Sequence, residues 1–223
     1  KAGIIKNNIP VVIGEYTDET KAVFDAKAKE RNAAIYFASD LISENYPSAL
    51  LGNYQIHNKK TVLQTINVLR TQNQFVIEED QIRNGLLKVI ENTGLQGRWQ
   101  QLQEHPKVIC DTAHNAAGLK SVMDQLHQER YKQLHIVLGV VNDKDLTEIL
   151  PLFPKNATYY FCKPNIPRGL EATTLQEKSK GFNLIGAVYA SVSDAYQTAL
   201  AYAETSDFIY IGGSTFVVAE ILE

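Results

Sequence analysis

Residues 134–145 read LHIVLGVVNDKD. An apolar run passes through Gly139 and gives way to the charged cluster Asn142-Asp143-Lys144-Asp145. A strand that is apolar on successive residues is covered on both faces, whereas a half-exposed strand alternates. The reading is a buried strand over 134–140, a polar loop, and a helix over 146–152.

The same pattern repeats on either side. Further strands are expected over 108–110, 158–162, 184–189 and 208–211. Helices are expected near 116–130, 172–180, 192–203 and 215–222. Continuous apolar strands that alternate with helices make an α/β fold with a mostly parallel, Rossmann-like sheet covered on both faces. Binding sites of such sheets lie in the loops after the carboxyl ends of strands. Upstream the pattern is looser. A strand is read over 10–15, and a helix begins at Thr17 or Asp18, with acidic residues in its first turn. A second strand follows over 34–38, then a loop over 43–52 and helices over 58–69 and 78–90. The break at Asn92-Thr93-Gly94 places a boundary there, dividing the chain into 1–92 and 93–223.

Composition narrows the class. The 223 residues are 44% hydrophobic and 21% charged, as in an ordinary globular protein, with a formal net charge of −3. That balance gives no general electrostatic case for nucleic acid or an anionic membrane as partner, although a local basic pocket for phosphate is allowed. No apolar run approaches the roughly 20 residues that span a bilayer. Cys110 and Cys162 form neither a disulfide framework nor a zinc motif, so a cytoplasmic setting is expected, with both in the core on strands. The first residues, Lys1-Ala2-Gly3-Ile4-Ile5, read like the middle of a domain, and an upstream part is expected.

Four loops after the predicted strands carry unusual residues. Cys110-Asp111-Thr112-Ala113-His114-Asn115 sets an acid, an imidazole and an amide at the start of a helix. A carboxylate there can accept the two hydroxyls of a ribose; the alternative is a helix cap with His114 as bystander. Lys144 within Asp143-Lys144-Asp145 can meet an anion, or the loop merely caps its helix. Pro164 and Pro167 stiffen the loop that carries Arg168, which is either held for a carboxylate or phosphate or is an ordinary surface residue. Gly212-Gly213-Ser214-Thr215-Phe216 lets the backbone approach a ligand, or Ser214 is a plain N-cap. The P-loop spacing G-x-x-x-x-G-K-[ST] occurs nowhere. Gly97-Arg98 lies just past the boundary, where an arginine could reach a nucleotide. Gln55 and Asn58 belong to a polar cluster that reads a base or caps a helix.

Taken in order, KAGIIK (1–6), LLGNYQIHN (50–58), GRW (97–99), VICDTAHN (108–115), GVVNDKD (139–145), NIPR (165–168) and GGSTFVVAE (212–220) resemble the bacterial folylpolyglutamate synthase and dihydrofolate synthase family, relatives of the Mur ligases. That family's pattern is KAGI, L-x-G-x-(H/Y)-Q-x-x-N, P-G-R-(F/L), D-G-A-H-N, D-K-D and G-S-L-Y. The departures are Leu95-Gln96 for Trp-Pro, Thr112 for Gly, and Thr215-Phe216 for Leu-Tyr. Thr112 adds a Cβ to a tight turn, and Phe216 keeps an aromatic ring without its hydroxyl.

The resemblance implies that 1–92 is the tail of a P-loop ATPase domain and 93–223 a C-terminal Mur-ligase domain. It implies ATP and Mg2+ as cofactors, L-glutamate and a pteroate or folate as substrates, an acyl-phosphate intermediate, and a monomer. Lys1 would be carbamylated in the intact enzyme and hold a magnesium ion, with a catalytic part shared by His114. Arg98 would reach the ATP phosphates and Asp111 the ribose, with Gln55 and Asn58 near the nucleotide. His114, Ser214 and Phe216 would face the incoming glutamate, and Lys144 and Arg168 its carboxylates. Without a P-loop, the 223 residues alone are expected not to make folylglutamate. The alternatives are a Mur-type ligase adding an amino acid to a peptidoglycan precursor, and a non-catalytic nucleotide-binding module.

Overall fold

A computed structural model describes residues 1–72 and 75–223. The chain forms two compact units: Lys1–Ala49 with Tyr54–Thr93, and Leu50–Asn53 with Gly94–Glu223.

The first unit opens with a 3-10 turn, Ala2–Ile4. It continues through β1 (Val11–Ile13), α1 (Asp18–Glu30), β2 (Ile35–Phe37), α2 (Ala38–Leu41), α3 (Gln55–Thr71), α4 (Glu79–Leu87) and α5 (Val89–Thr93). β1 and β2 pair in parallel. Thr17 caps α1: its hydroxyl accepts from the Thr20 amide at 3.3 Å, and the Thr20 hydroxyl accepts from the Thr17 amide at 2.8 Å. Ile42, Leu63 and Ile82 form a small core with Ile66 and Leu86 against it. Three expectations change. The predicted strand over 34–38 yields to α2 at Ala38, and the helix predicted from 58 starts at Gln55. The single helix over 78–90 is two, because the Leu86 carbonyl accepts the Ala49 amide at 3.1 Å. In an unbroken helix that carbonyl would take the amide of Ile90.

The second unit holds β3 (Gln100–Gln103), β4 (Lys107–Cys110), α6 (Ala116–Leu126), β5 (Leu134–Leu138), α7 (Leu146–Ile149), β6 (Thr158–Phe161), α8 (Ala172–Lys180), β7 (Gly186–Val188), α9 (Val192–Tyr202), β8 (Phe208–Gly212) and α10 (Thr215–Leu222). The sheet order is β3-β4-β8-β5-β6-β7, and every pairing but β3–β4 is parallel. The last strand thus lies between β4 and β5. β5 and β8 are buried at every residue, which is why they read as unbroken apolar runs. Val108, Val137, Ile209 and Ile211 pack with Val192, Ala195 and Ala199 of α9 and with Val217 and Val218 of α10.

The polar strand β3 is absent from the sequence reading: Gln100-Gln101-Leu102-Gln103 sits on the sheet edge, where burial does not demand apolar residues. α6 stops at Leu126, short of 130. β5 stops at Leu138, because the Val140 carbonyl accepts from Leu170 in the loop after β6. The helix predicted over 146–152 is one α-turn followed by a 3-10 turn, Leu150–Leu152; Pro151 has no amide to continue the ladder. β7 is shorter than the predicted strand over 184–189. Among the described residues no helix is long and apolar enough to cross a membrane.

Candidate active site

The carboxyl ends of β4, β8, β5 and β6 lie side by side, and their ladder runs on into the loops. The Asp111 amide donates to the Ile211 carbonyl at 3.1 Å, Gly139 to Gly212 at 3.4 Å, and Cys162 to Leu138 at 3.0 Å. Neighbouring strands are about 5 Å apart, so these loops form one rim.

After β4, the Asp111 side chain is buried, at 1% exposure. Its Oδ2 accepts the Trp99 amide at 2.6 Å and its Oδ1 the Ala113 amide at 2.8 Å. One carboxylate thereby fastens two turns. The first carries Arg98, which is half-buried between Gly97 at φ +68° and Trp99 at φ +49°. A non-glycine residue held at positive φ is strained by about 1–2 kcal/mol, and the charge-assisted bond to Asp111 offsets it. The Gly97 carbonyl accepts from Thr112 at 2.9 Å, and its amide donates to Gln100 Oε1 at 2.7 Å. A Cβ on Gly97 would stand 2.7 Å from Thr112 Cγ2 and 2.9 Å from Val218 Cγ1. The threonine that departs from the family pattern is therefore accommodated across the turn, where Gly97 has no side chain.

The second turn leads to His114, which is exposed. Its Nδ1 lies 3.0 Å from the Thr112 carbonyl oxygen. A carbonyl only accepts, so Nδ1 carries the hydrogen and Nε2 of the neutral ring keeps a lone pair. Asn115, not Asp111, caps α6, its Oδ1 accepting from Gly118 at 2.8 Å.

After β8, Gly213 has φ +90°, and a Cβ there would sit 2.6 Å from Leu138 Cδ1. Ser214 is buried and caps α10, its hydroxyl accepting from Phe216 at 3.2 Å. The loops after β5 and β6 are joined: Asn142 donates to the Arg168 carbonyl at 2.9 Å and Leu170 to Val140 at 3.0 Å. The Arg168 guanidinium lies 4.9 Å from the centre of the Phe216 ring. Its Nη1 is 3.6 Å from Asp143 Oδ2. Lys144 Nζ stands 4.0 Å from the other oxygen of Asp143. Asp145 caps α7 through Thr147, whose hydroxyl and amide hold its carboxyl below the ordinary value.

The expected residues of the second unit thus fall into two groups: Arg98, Asp111 and His114 on one side, Lys144, Arg168, Ser214 and Phe216 on the other. Gln55 and Asn58 belong to the first unit, where Asn58 Nδ2 donates to Gln55 Oε1 at 2.9 Å. Lys1 is exposed ahead of the first 3-10 turn. Among the described residues no group of three or more His, Cys, Asp or Glu is placed to hold a metal ion. Sequence reasoning missed Trp99 and Asp143. A tight turn at Gly97 hinted at the first; nothing in the one-dimensional pattern distinguishes Asp143 from Asp145. Cys110 and Cys162 are fully buried, and burial pushes both thiols up to about 12.

The dihydrofolate synthase/folylpolyglutamate synthase of Escherichia coli is 27% identical over 240 residues, covering all of this chain and 53% of that protein. The folylpolyglutamate synthase of Lacticaseibacillus casei is 24% identical, over 99% of this chain and 55% of its own length. The solved structure of E. coli FolC in complex with DHPP and ADP superposes with a TM-score of 0.82 at 25% identity, covering 99% of this chain and 54% of that one. The chain spans about half the length of these relatives. The family model described as Mur ligase, glutamate ligase domain, matches residues 97–215, from the Arg98 turn to the Ser214 cap and over more than half of the sequence, and the chain belongs to that family.

Proposed function

We propose that these residues are part of a ligase that joins L-glutamate to dihydropteroate or a folyl-polyglutamate with ATP. Residues 1–92 would belong to its ATP-binding domain and 93–223 to its glutamate-ligase domain. The observation that carries the reading is the carboxylate of Asp111, which ties the Arg98 turn and the His114 turn to one strand end.

The groups suit the chemistry. A guanidinium on a pinned turn fits phosphate oxygens, and the carboxylate that pins it, 1% exposed with an amide on each oxygen, serves as its anchor. Bound ATP supplies the phosphoryl group that gives the acceptor carboxylate a leaving group as an acyl phosphate. The remaining work is the protein's. Arg98 would hold phosphate oxygens, with Gln55 and Asn58 close to the nucleotide; Asp111, expected from the sequence to take the ribose, is buried with an amide on each carboxylate oxygen and would act by holding the Arg98 turn. Arg168 and Lys144 would take the carboxylates of glutamate, while Ser214 and Phe216 line its path. An ammonium group has no lone pair with which to attack, so it must first lose a proton, and the His114 Nε2 lone pair is a base for that transfer. Holding amine and activated carbonyl together supplies much of the acceleration. A carbamylated Lys1 would supply one ligand to magnesium, which would neutralise phosphate charge; among the described residues no group of three or more His, Cys, Asp or Glu assembles to hold that ion.

The reading is tested with the gene product that contains these residues. Labelled L-glutamate should enter dihydropteroate or tetrahydrofolate in step with phosphate release from ATP, and not without ATP. No incorporation into either acceptor overturns it.

A further inference from the structure

The loop after β5 holds two aspartates that the sequence presents as equivalent, and the structure separates them. Asp145 is committed to Thr147 as the cap of α7. Asp143 is more than half exposed and faces Arg168, itself more than half exposed, across 3.6 Å. An ion pair that open to water adds little stability. Yet the backbone beneath it is tightly set. Two hydrogen bonds and the Val141–Gly169 bridge join the loops. Gly169 has no room for a Cβ beside the Pro164 carbonyl. The neighbouring acids are engaged elsewhere: Glu171 with Lys163 at 2.5 Å, and Glu220 with the Asn165 amide at 2.6 Å.

We propose that Asp143 is a specificity residue for the amino-acid substrate: it steadies Arg168 against Phe216 and offers its own carboxylate to the substrate's ammonium group. The proposal rests on the ligase reading above. The physical logic is charge matching. An amino acid carries an ammonium beside a carboxylate, so a guanidinium and a carboxylate a few ångströms apart match both. Arg168 has five N–H donors, and a single 3.6 Å approach to Asp143 does not occupy the fork that grips a carboxylate. A bare arginine would accept any dicarboxylate. Asp143 repels one that lacks the amine, and discrimination needs such a repulsive element as much as an attractive one. Lys144, 4.0 Å from Asp143, is the other charge facing it in this loop.

The test titrates the isotope-labelled gene product that contains these residues with L-glutamate and, separately, with glutarate, which keeps both carboxylates and lacks the amine. Amide shifts of 142–145 and 165–169 are followed by NMR. L-glutamate should bind about tenfold more tightly than glutarate, the worth of one charge-assisted contact. Asp143→Asn should bring the two affinities together, weakening L-glutamate and strengthening glutarate. Asp143→Glu should restore part of the preference, which a merely structural role would not do. An unchanged preference in Asp143→Asn overturns the assignment and leaves the ligase reading standing. If neither ligand moves these loops in the unsubstituted protein, the assignment of this rim to glutamate is wrong and the proposal falls, while the ligase reading stands or falls on the incorporation of labelled L-glutamate.

Discussion

The backbone amide of Trp99 donates to Oδ2 of Asp111 across 2.6 Å, with both residues almost wholly buried. Twelve residues separate them, and the bond lies at the foot of the turn that carries Arg98. The acid at the end of β4 is thereby a structural anchor. Its other oxygen anchors the turn before His114. Removing the carboxylate disturbs the two turns together.

Asp111→Ala should therefore destabilise the fold as well as weaken nucleotide binding. Two amides lose a buried acceptor, at about 1–3 kcal/mol each. Urea unfolding should move by about 2–6 kcal/mol, and emission of Trp99, the single tryptophan of the chain, should shift to the red in the native state. In the proposed ligase the Michaelis constant for ATP should rise, because the Arg98 turn loses its anchor. A shift in stability below about 1 kcal/mol would mean the Trp99 amide has found another acceptor.

Gly97→Ala meets two obstacles. At φ +68° a Cβ is strained, and it would press on Thr112 Cγ2 and Val218 Cγ1. The expected loss is about 2–4 kcal/mol, the upper part from overpacking. Thr112→Gly in the same chain should recover part of that loss, since it removes the nearer clash and leaves the dihedral strain. Full recovery would show that the dihedral does not matter.

His114→Ala should leave stability within about 0.5 kcal/mol, because the ring is exposed and holds only the Thr112 carbonyl. In the proposed ligase the capture of glutamate should slow far more than ATP binding weakens. Equal effects on both would remove the proton-acceptor role.

Cys110 and Cys162 should resist alkylation at pH 8 in the native chain and both react in urea. Burial raises each thiol from 9.0 to about 12. The sign of the pH dependence follows. The unfolded thiols ionise first, so the stability these groups contribute is fully present below pH 9.0 and is lost as pH rises toward 12. The double Cys→Ala variant, less stable overall, should show a shallower decline across that window. An equal slope would assign the alkaline loss to the tyrosines.

Much of the second unit was legible because its signals are local. β5 and β8 are buried on both faces, so each of their residues is apolar and the run declares itself. Asn115 and Ser214, like Thr17 in the first unit, sit where a short polar side chain reaches its own helix's amides, a relation within three residues. The antiparallel strand β3 was not legible: an edge strand with four residues, three of them glutamine, is paired only because β4 lies beside it.

The site divides in the same way. The sequence by itself determined which residue types stand after which strand, because strand, loop and helix follow from burial periodicity and capping along the chain. It determined that Asp111, His114, Arg168 and Ser214 lie on one rim, because parallel strands bring their carboxyl ends to one edge. Only the tertiary structure decided that Asp111 holds Trp99, that Thr112 fits against Gly97, and that Arg168 lies over Phe216 beside Asp143 while Asp145 caps a helix. Those choices are made between segments far apart in the chain. A side chain's partner across the rim depends on strand order, and the last strand reaches its place between β4 and β5 only when the sheet is assembled.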